Sequence, residues 1–134
     1  MGIQGRGKVK LTSEEQKEVN DFFRSYVDTL RYKNPMNSIR LNVDHTDEHR
    51  RTIFEVCNAL IEERIPFWTE VRLKCGCIPD IVCPTNVKPI IEVLSSETVE
   101  DFYQKKHHKY PSELQNDSII LVDAKQQFEI KEIM

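Results

Sequence analysis

Apolar residues recur at helical spacing soon after Thr12: Val19, Phe22, Phe23, Tyr26, Val27 and Leu30 share one stripe, and charged residues fill the rest of the surface. Thr12 followed by Glu15 is a capping box, in which each side chain accepts the other's backbone N–H, so the pattern predicts a helix from here to about Tyr32. Asn34-Pro35 ends it, because the residue before a proline is pushed out of helical geometry. The polar stretch through Asp44 is then a connection, with a short extended piece near residues 39–43. A second helix begins at Thr46 or Asp47, either a good N-cap. It carries Ile53, Val56, Cys57, Leu60 and Ile61 on one face and stops near Arg64, ahead of Pro66.

Past Pro66 the period drops to two. Phe67, Thr69, Val71 and Leu73 fall on one side and Trp68, Glu70 and Arg72 on the other, which predicts a strand. Cys75-Gly76-Cys77 reads as the tip of a hairpin, followed by strands over 78–83 and 89–95 with a loop between them. A helix over about 97–109, ended by Pro111, and strands over 118–123 and 128–133 complete the order. Glu97 and Glu100 read as acidic residues that complement the dipole at that helix's start. No internal repeat or low-complexity tract appears. This order predicts an α/β fold, a mixed central β-sheet of about five strands flanked by α-helices.

Length and charge limit what such a fold does. At 134 residues, 39% hydrophobic and 31% charged, the chain is expected to form a single domain, 1–134, with an N-terminal helix and connection over 1–45 and a core over 46–134. No apolar run approaches the roughly 18 residues of a membrane span, and the first ten residues lack a signal peptide's hydrophobic segment, so a cytoplasmic, intracellular protein with no membrane partner is expected. The net charge of -3 argues against nonspecific coating of nucleic acid but leaves room for a local basic face. Two clusters are candidates: Arg6, Lys8 and Lys10, and the run Lys105, Lys106, His107, His108 and Lys109 before Tyr110. Such runs are most often solvated helix faces.

Four cysteines are too few for a secreted disulfide framework. Cys57 and Cys83 read as small core residues, and Cys75 and Cys77 as turn residues. The rival reading is a zinc site joining Cys75 and Cys77 to Cys83 or to His107 and His108, although Cys-x-Cys lacks the usual two-residue gap.

Two acids stand out because they interrupt apolar strands. A buried ionised carboxylate costs several kcal/mol unless a cation meets it, so Asp80 and Glu92 are poor choices for structure alone. Strand alternation puts Ile78, Asp80 and Val82 on one face and Ile90, Glu92 and Leu94 on one face of the next strand. If the two strands pair in that register, the acids converge. Glu70 on the preceding strand can join them, or can pair with Arg72 or solvent instead. Carboxylates meeting at a sheet edge repel unless a hard divalent ion, magnesium first, sits between them. One of its waters, with its pKa lowered, attacks a phosphodiester.

Pro79-Asp80, a gap of eleven residues, and then Glu92 inside Ile90-Ile91-Glu92-Val93 before a helix resemble the PD-(D/E)XK nuclease superfamily, which includes restriction endonucleases, archaeal Holliday-junction resolvases and RecB-like nucleases. The resemblance covers roughly residues 46–123. It implies a restriction endonuclease-like core with an extra N-terminal helix, and Asp80 and Glu92 as ligands of Mg2+ (or Mn2+). The family places a lysine two residues after the glutamate, where this chain has Leu94. On the following helix, Val99, Phe102, Tyr103, Lys106 and Tyr110 form one stripe, so Lys106 is the only cation on the face meeting the sheet. Some branches of the superfamily displace the catalytic lysine to this helix, and RecB-like members carry a Gln and a Tyr four apart there. Lys106 and Tyr110 have that spacing, so Lys106 reads as the migrated catalytic lysine. Family members often add an acid from the helix before the strands, a place that Glu48 or His49 would take at the metal.

The expected function is a magnesium-dependent DNA endonuclease with Asp80, Glu92 and Lys106 as catalytic residues and Lys105, Lys109, Tyr110, Arg6, Lys8 and Lys10 on the DNA. The alternative is a catalytically inactive nuclease-like module that binds nucleic acid or protein. Lacking a base-reading motif, the chain is expected to cut by structure or without selectivity. The apolar stripe of the first helix packs on the core or forms a homodimer interface.

Overall fold

The computed structural model describes residues 10–29 and 34–134. Arg6 and Lys8, Leu30 at the end of the first stripe, and the expected helix end at Tyr32 lie outside the described residues. Helix α1 spans Ser13–Tyr26 and begins with the Thr12/Glu15 capping box, both of its bonds formed. It stops earlier than the periodicity predicts. Val27 leaves helical geometry and makes an antiparallel bridge to Leu73, so the last turn of the apolar stripe is used to tie the helix to the hairpin instead.

Helix α2 spans Asp47–Glu62 with Thr46 as its N-cap and buries Ile53, Val56, Cys57 and Leu60, the stripe read from the sequence. The strands are β1 (Trp68–Thr69), β2 (Ile81–Val82), β3 (Ile90–Leu94) and β4 (Ile119–Asp123). They form one sheet in the order β1-β2-β3-β4; the first two pairings are antiparallel, and β3 pairs parallel with β4. Helix α3 (Val99–Lys105) makes the crossover between the parallel pair. The fold is mixed α/β with three α-helices and a four-stranded mixed sheet among the described residues.

Two expectations change here. The predicted first strand breaks after Thr69 because Glu70 adopts φ +52°, the left-handed region. Alternation does not survive such a residue: Phe67 packs on the α2 side of the sheet, whereas Val71 and Leu73 join Trp68 on the α1 side. The predicted fifth strand over 128–133 is instead loop and a 3-10 turn at Ile130–Glu132, with Ile133 tucked into the α2-side core. Among the described residues the sheet therefore has four strands.

β3 is central and apolar on both faces. Ile90 and Leu94 meet α1, Phe102 and Tyr110, while Ile91 and Val93 meet α2. A strand covered on both sides reads as a continuous hydrophobic run, and the single acid in it, Glu92, is its one partly exposed residue. The stripe of α1, with Val19 and Phe22 buried and Phe23 and Tyr26 against them, packs on this same core.

Candidate active site

The register of β2 with β3 pairs Ile81 with Ile91 and Val82 with Ile90. Continued by one residue, it sets Asp80 directly opposite Glu92, where side chains of an antiparallel pair project to the same face. The backbone ties Asp80 to the neighbouring strand: Val93 N–H donates to Asp80 Oδ2 at 2.8 Å. Burial and then the charge of Asp80 push the Glu92 carboxyl up to about 8, against smaller opposing contributions from Tyr110, Lys106 and the Asp80 backbone. The convergence of the two acids is thus present.

Both acids line a cleft of about 590 Å³. Its opposite wall comes from the end of α3. The helix is shorter than predicted: Lys106 is its C-cap, and a 3-10 turn at His107–Lys109 follows. Within the helix Val99 and Tyr103 are half exposed while Phe102 is buried, and beyond the break Tyr110 is buried as well. Lys106 Nζ donates to Glu97 Oε1 at 2.9 Å. Burial works against the Lys106 ammonium, but the bond and charge of Glu97, with the charges of Glu92 and Asp80, outweigh it and raise its pKa. Lys106 therefore lies within the field of both acids.

Tyr110 is turned inward. Its hydroxyl donates to Glu92 Oε2 at 2.5 Å and its ring is buried, which makes it a support for Glu92 rather than an exposed contact for DNA. Burial and the neighbouring Glu92 raise its phenol strongly, so it remains a donor. Lys109 lines the cleft, but Lys105 does not and is exposed. Lys10 is exposed on the approach to α1, away from the cleft-lining residues.

The α2 end contributes histidines rather than acids. His49 Nε2 lies 3.3 Å from Asp80 Oδ2, with the two side chains 13% and 11% exposed. Glu48, one residue or about 100° round the helix, is exposed and outside the cleft lining. Glu70 falls opposite Asp80 by register, its N–H 3.3 Å from Asp80 O, but its left-handed backbone turns the side chain off the strand face and it does not line the cleft.

Sequence reading missed His45 and misread Glu97. His45 precedes the helix and stacks on His49, ring centroids 3.9 Å apart and 23° from coplanar. Arg50 holds it there by donating to the carbonyls of Asn42 at 3.4 Å, of Val43 at 3.2 Å and of His45. The signal was the i, i+4 spacing of the two histidines across a Thr N-cap. Glu97 stands before the capping box of Thr98 and Asp101 and meets Lys106 instead of the helix dipole.

Cys75, Gly76 and Cys77 line the rim of the cleft on a hairpin whose Gly76 has φ +97°. Cys57 and Cys83 are fully buried among the α2-side core residues, as expected of small apolar side chains. The grouping of metal-ligating side chains among the described residues is His45, His49 and Asp80, and it contains no cysteine. A divalent ion here would have Asp80 and Glu92 as its carboxylate donors, and it would offset the repulsion by Asp80 that adds to burial in raising the Glu92 carboxyl.

Comparison with models of known protein families, with curated proteins and with solved structures finds no match to this chain. No described helix is long and apolar enough to cross a membrane.

Proposed function

We propose that the protein is a metal-dependent DNA endonuclease with a restriction endonuclease-like core, hydrolysing phosphodiester bonds at the cleft between β2, β3 and the end of α3. The observation that carries the reading is the meeting of Asp80, Glu92 and Lys106 from three separate elements at one cleft, with mutual electrostatic effects on Glu92 and Lys106. The resemblance of Pro79-Asp80 and Ile90-Ile91-Glu92-Val93 to the PD-(D/E)XK pattern supplies the reaction class.

Asp80 and Glu92 would hold the ion, magnesium or manganese, which when bound supplies a Lewis acid and lowers the pKa of water. The chain's own groups do the rest. Val93 N–H fixes one oxygen of Asp80, and Tyr110 fixes one oxygen of Glu92, so both carboxylates are held before a substrate arrives. The Lys106 ammonium, anchored by Glu97, stands where negative charge grows on the phosphate, and Lys109 adds a second cation on the same wall. A buried Leu94 at the family's lysine position leaves Lys106 as the ammonium near the acids.

The test is incubation of the purified chain with labelled linear, single-stranded, flapped and four-way-junction DNA, with magnesium and with manganese. Cleavage that Asp80→Ala and Glu92→Ala each abolish is the expected result. Binding of DNA without cleavage under either metal selects the inactive nuclease-like module instead.

A further inference from the structure

We infer that Cys75 and Cys77 form a dithiol site at the rim of the cleft, which takes a small disulfide of the glutathione class and closes reversibly to a Cys75–Cys77 disulfide. The site stands apart from the nuclease reading and is tested without DNA.

The hairpin between β1 and β2 is fixed at its base. Leu73 N–H donates to Cys77 O and Gly76 N–H donates to Leu73 O, both at 2.9 Å, so Lys74, Cys75 and Gly76 form a three-residue loop. Leu73 is buried and bridges Val27, and Lys74 N–H donates to Tyr26 O at 2.7 Å. The tip is open. Gly76 is left-handed at φ +97°, and beyond its chain neighbours no atom lies within 4 Å of where its Cβ would stand. An extended chain would hold Cys75 and Cys77 about 7 Å apart at Cα, the limit of what a disulfide spans. The bend at Gly76 shortens this toward the roughly 5.5–6 Å that a disulfide prefers. Both cysteines line the same cleft.

The two thiols divide the chemistry. Cys75 is exposed, open to a disulfide arriving from solvent. Cys77 is partly buried; burial first, and then Cys75 and Glu92, push its thiol up to about 12, with Lys109 opposing. Cys77 therefore keeps its proton while Cys75 attacks. The Cys75 thiolate bonds one sulfur of the glutathione disulfide and expels the other as a first glutathione, which takes up the proton that Cys75 gave up. Cys77 then attacks Cys75 Sγ, and the second glutathione leaves with the Cys77 proton. The protein pair gives up two electrons and two protons, and the incoming disulfide gains both. A bond across a single intervening residue is strained and lies at the surface, the setting of readily reduced disulfides, so excess reduced glutathione opens it again. Cys57 and Cys83 are the internal contrast: both are fully buried, and burial raises both thiols, that of Cys57 to about 12.

The full chain, reduced and then freed of reductant, is incubated with glutathione disulfide and read by intact mass and peptide mapping. The native chain is expected to lose about 2 Da, with the new bond joining Cys75 to Cys77, and to regain this mass in excess reduced glutathione. Cys77→Ser is expected to stop at a glutathione adduct on Cys75, and Cys75→Ser to stay unmodified over the same time. Because a variant can lose its fold, phenylarsine oxide, which bridges two adjacent thiols with loss of water, probes the native chain without substitution. It is expected to attach to Cys75 and Cys77 together. A native chain that stays unmodified or ends as a glutathione adduct, a bond that uses Cys57 or Cys83, or an arsenic adduct carried equally by Cys75→Ser overturns the inference. Neither reading carries the other: an oxidised hairpin in a chain that cuts no DNA removes only the nuclease, and cutting by a chain whose thiols stay apart removes only this site.

Discussion

The Tyr110 hydroxyl reaches across 18 residues of sequence to donate to Glu92 Oε2 at 2.5 Å, joining the turn after α3 to the acid of the central strand. It is a charge-assisted bond in a buried setting when Glu92 is ionised, the kind that both orders a side chain and favours its anion. Tyr110→Phe keeps the ring in the core and removes only this bond. The expected cost is about 1–2 kcal/mol in denaturant unfolding. The Glu92 carboxyl loses a contribution that lowers its pKa, so the acid limb of the cleavage profile moves to higher pH. An unchanged limb would show that Tyr110 supports the core alone.

Lys106 offers a cleaner separation of activity from stability, because its side chain is about half exposed and its partner Glu97 is partly exposed. Exposed pairs contribute at most about 1 kcal/mol. Lys106→Met is therefore expected to leave the unfolding midpoint nearly unchanged while lowering kcat by about 100-fold or more, the scale for removing a donor aimed at developing charge. Glu97→Gln, which frees the ammonium to wander, is expected to lower kcat by a smaller factor. Full activity in Lys106→Met would remove this residue from the mechanism.

The raised Glu92 carboxyl makes the metal-free protein sensitive to alkali. Its ordinary pKa is 4.5 and its folded value about 8, from burial first and the Asp80 charge second. Between those values the folded chain keeps a proton that the unfolded chain has released. The stabilisation is fully present below about pH 4.5 and is lost as pH rises through 8. In EDTA, the melting temperature of the native chain is expected to fall between pH 5 and 8 by about 4 °C or more beyond the change seen in Glu92→Gln. Parallel profiles for the two proteins would contradict the buried, protonated carboxyl.

The paired acids were legible because alternation fixes a side chain's face and a short loop between adjacent strands limits their register. Both helix starts at Thr12 and Thr46 were legible for a similar reason, each cap residue being chemically committed by its hydroxyl. Glu70 was not, since alternation carries no sign of a left-handed residue, and the two-residue period continues through it in the sequence. Nor was His45, which belongs to a loop and has no period to place it. Lys106 was found by its helical stripe, although α3 ends just before it and the stripe's outer members, Val99 and Tyr103, face solvent. The apolar alternation of 128–133 misled because only Ile133 is deeply buried, and one anchored side chain does not need a strand.

Leu94 gives the sharpest test of whether Lys106 serves in place of the lysine that the PD-(D/E)XK pattern would put at position 94. It lies two residues after Glu92, is 3% exposed, and belongs to the α1-side core with Ile90, Phe102 and Tyr110. Leu94→Lys restores the familiar motif in sequence but asks an ammonium to share that core. Burying an unpaired charge among apolar side chains is expected to cost about 3 kcal/mol or more, read as a lower denaturation midpoint with no gain in cleavage. Lys106→Met combined with Leu94→Lys should then be as inactive as Lys106→Met alone. Recovery of cleavage in the double variant would mean that the cleft admits a lysine from β3 after all, and that the place of the ammonium is set by the acids rather than by the end of α3.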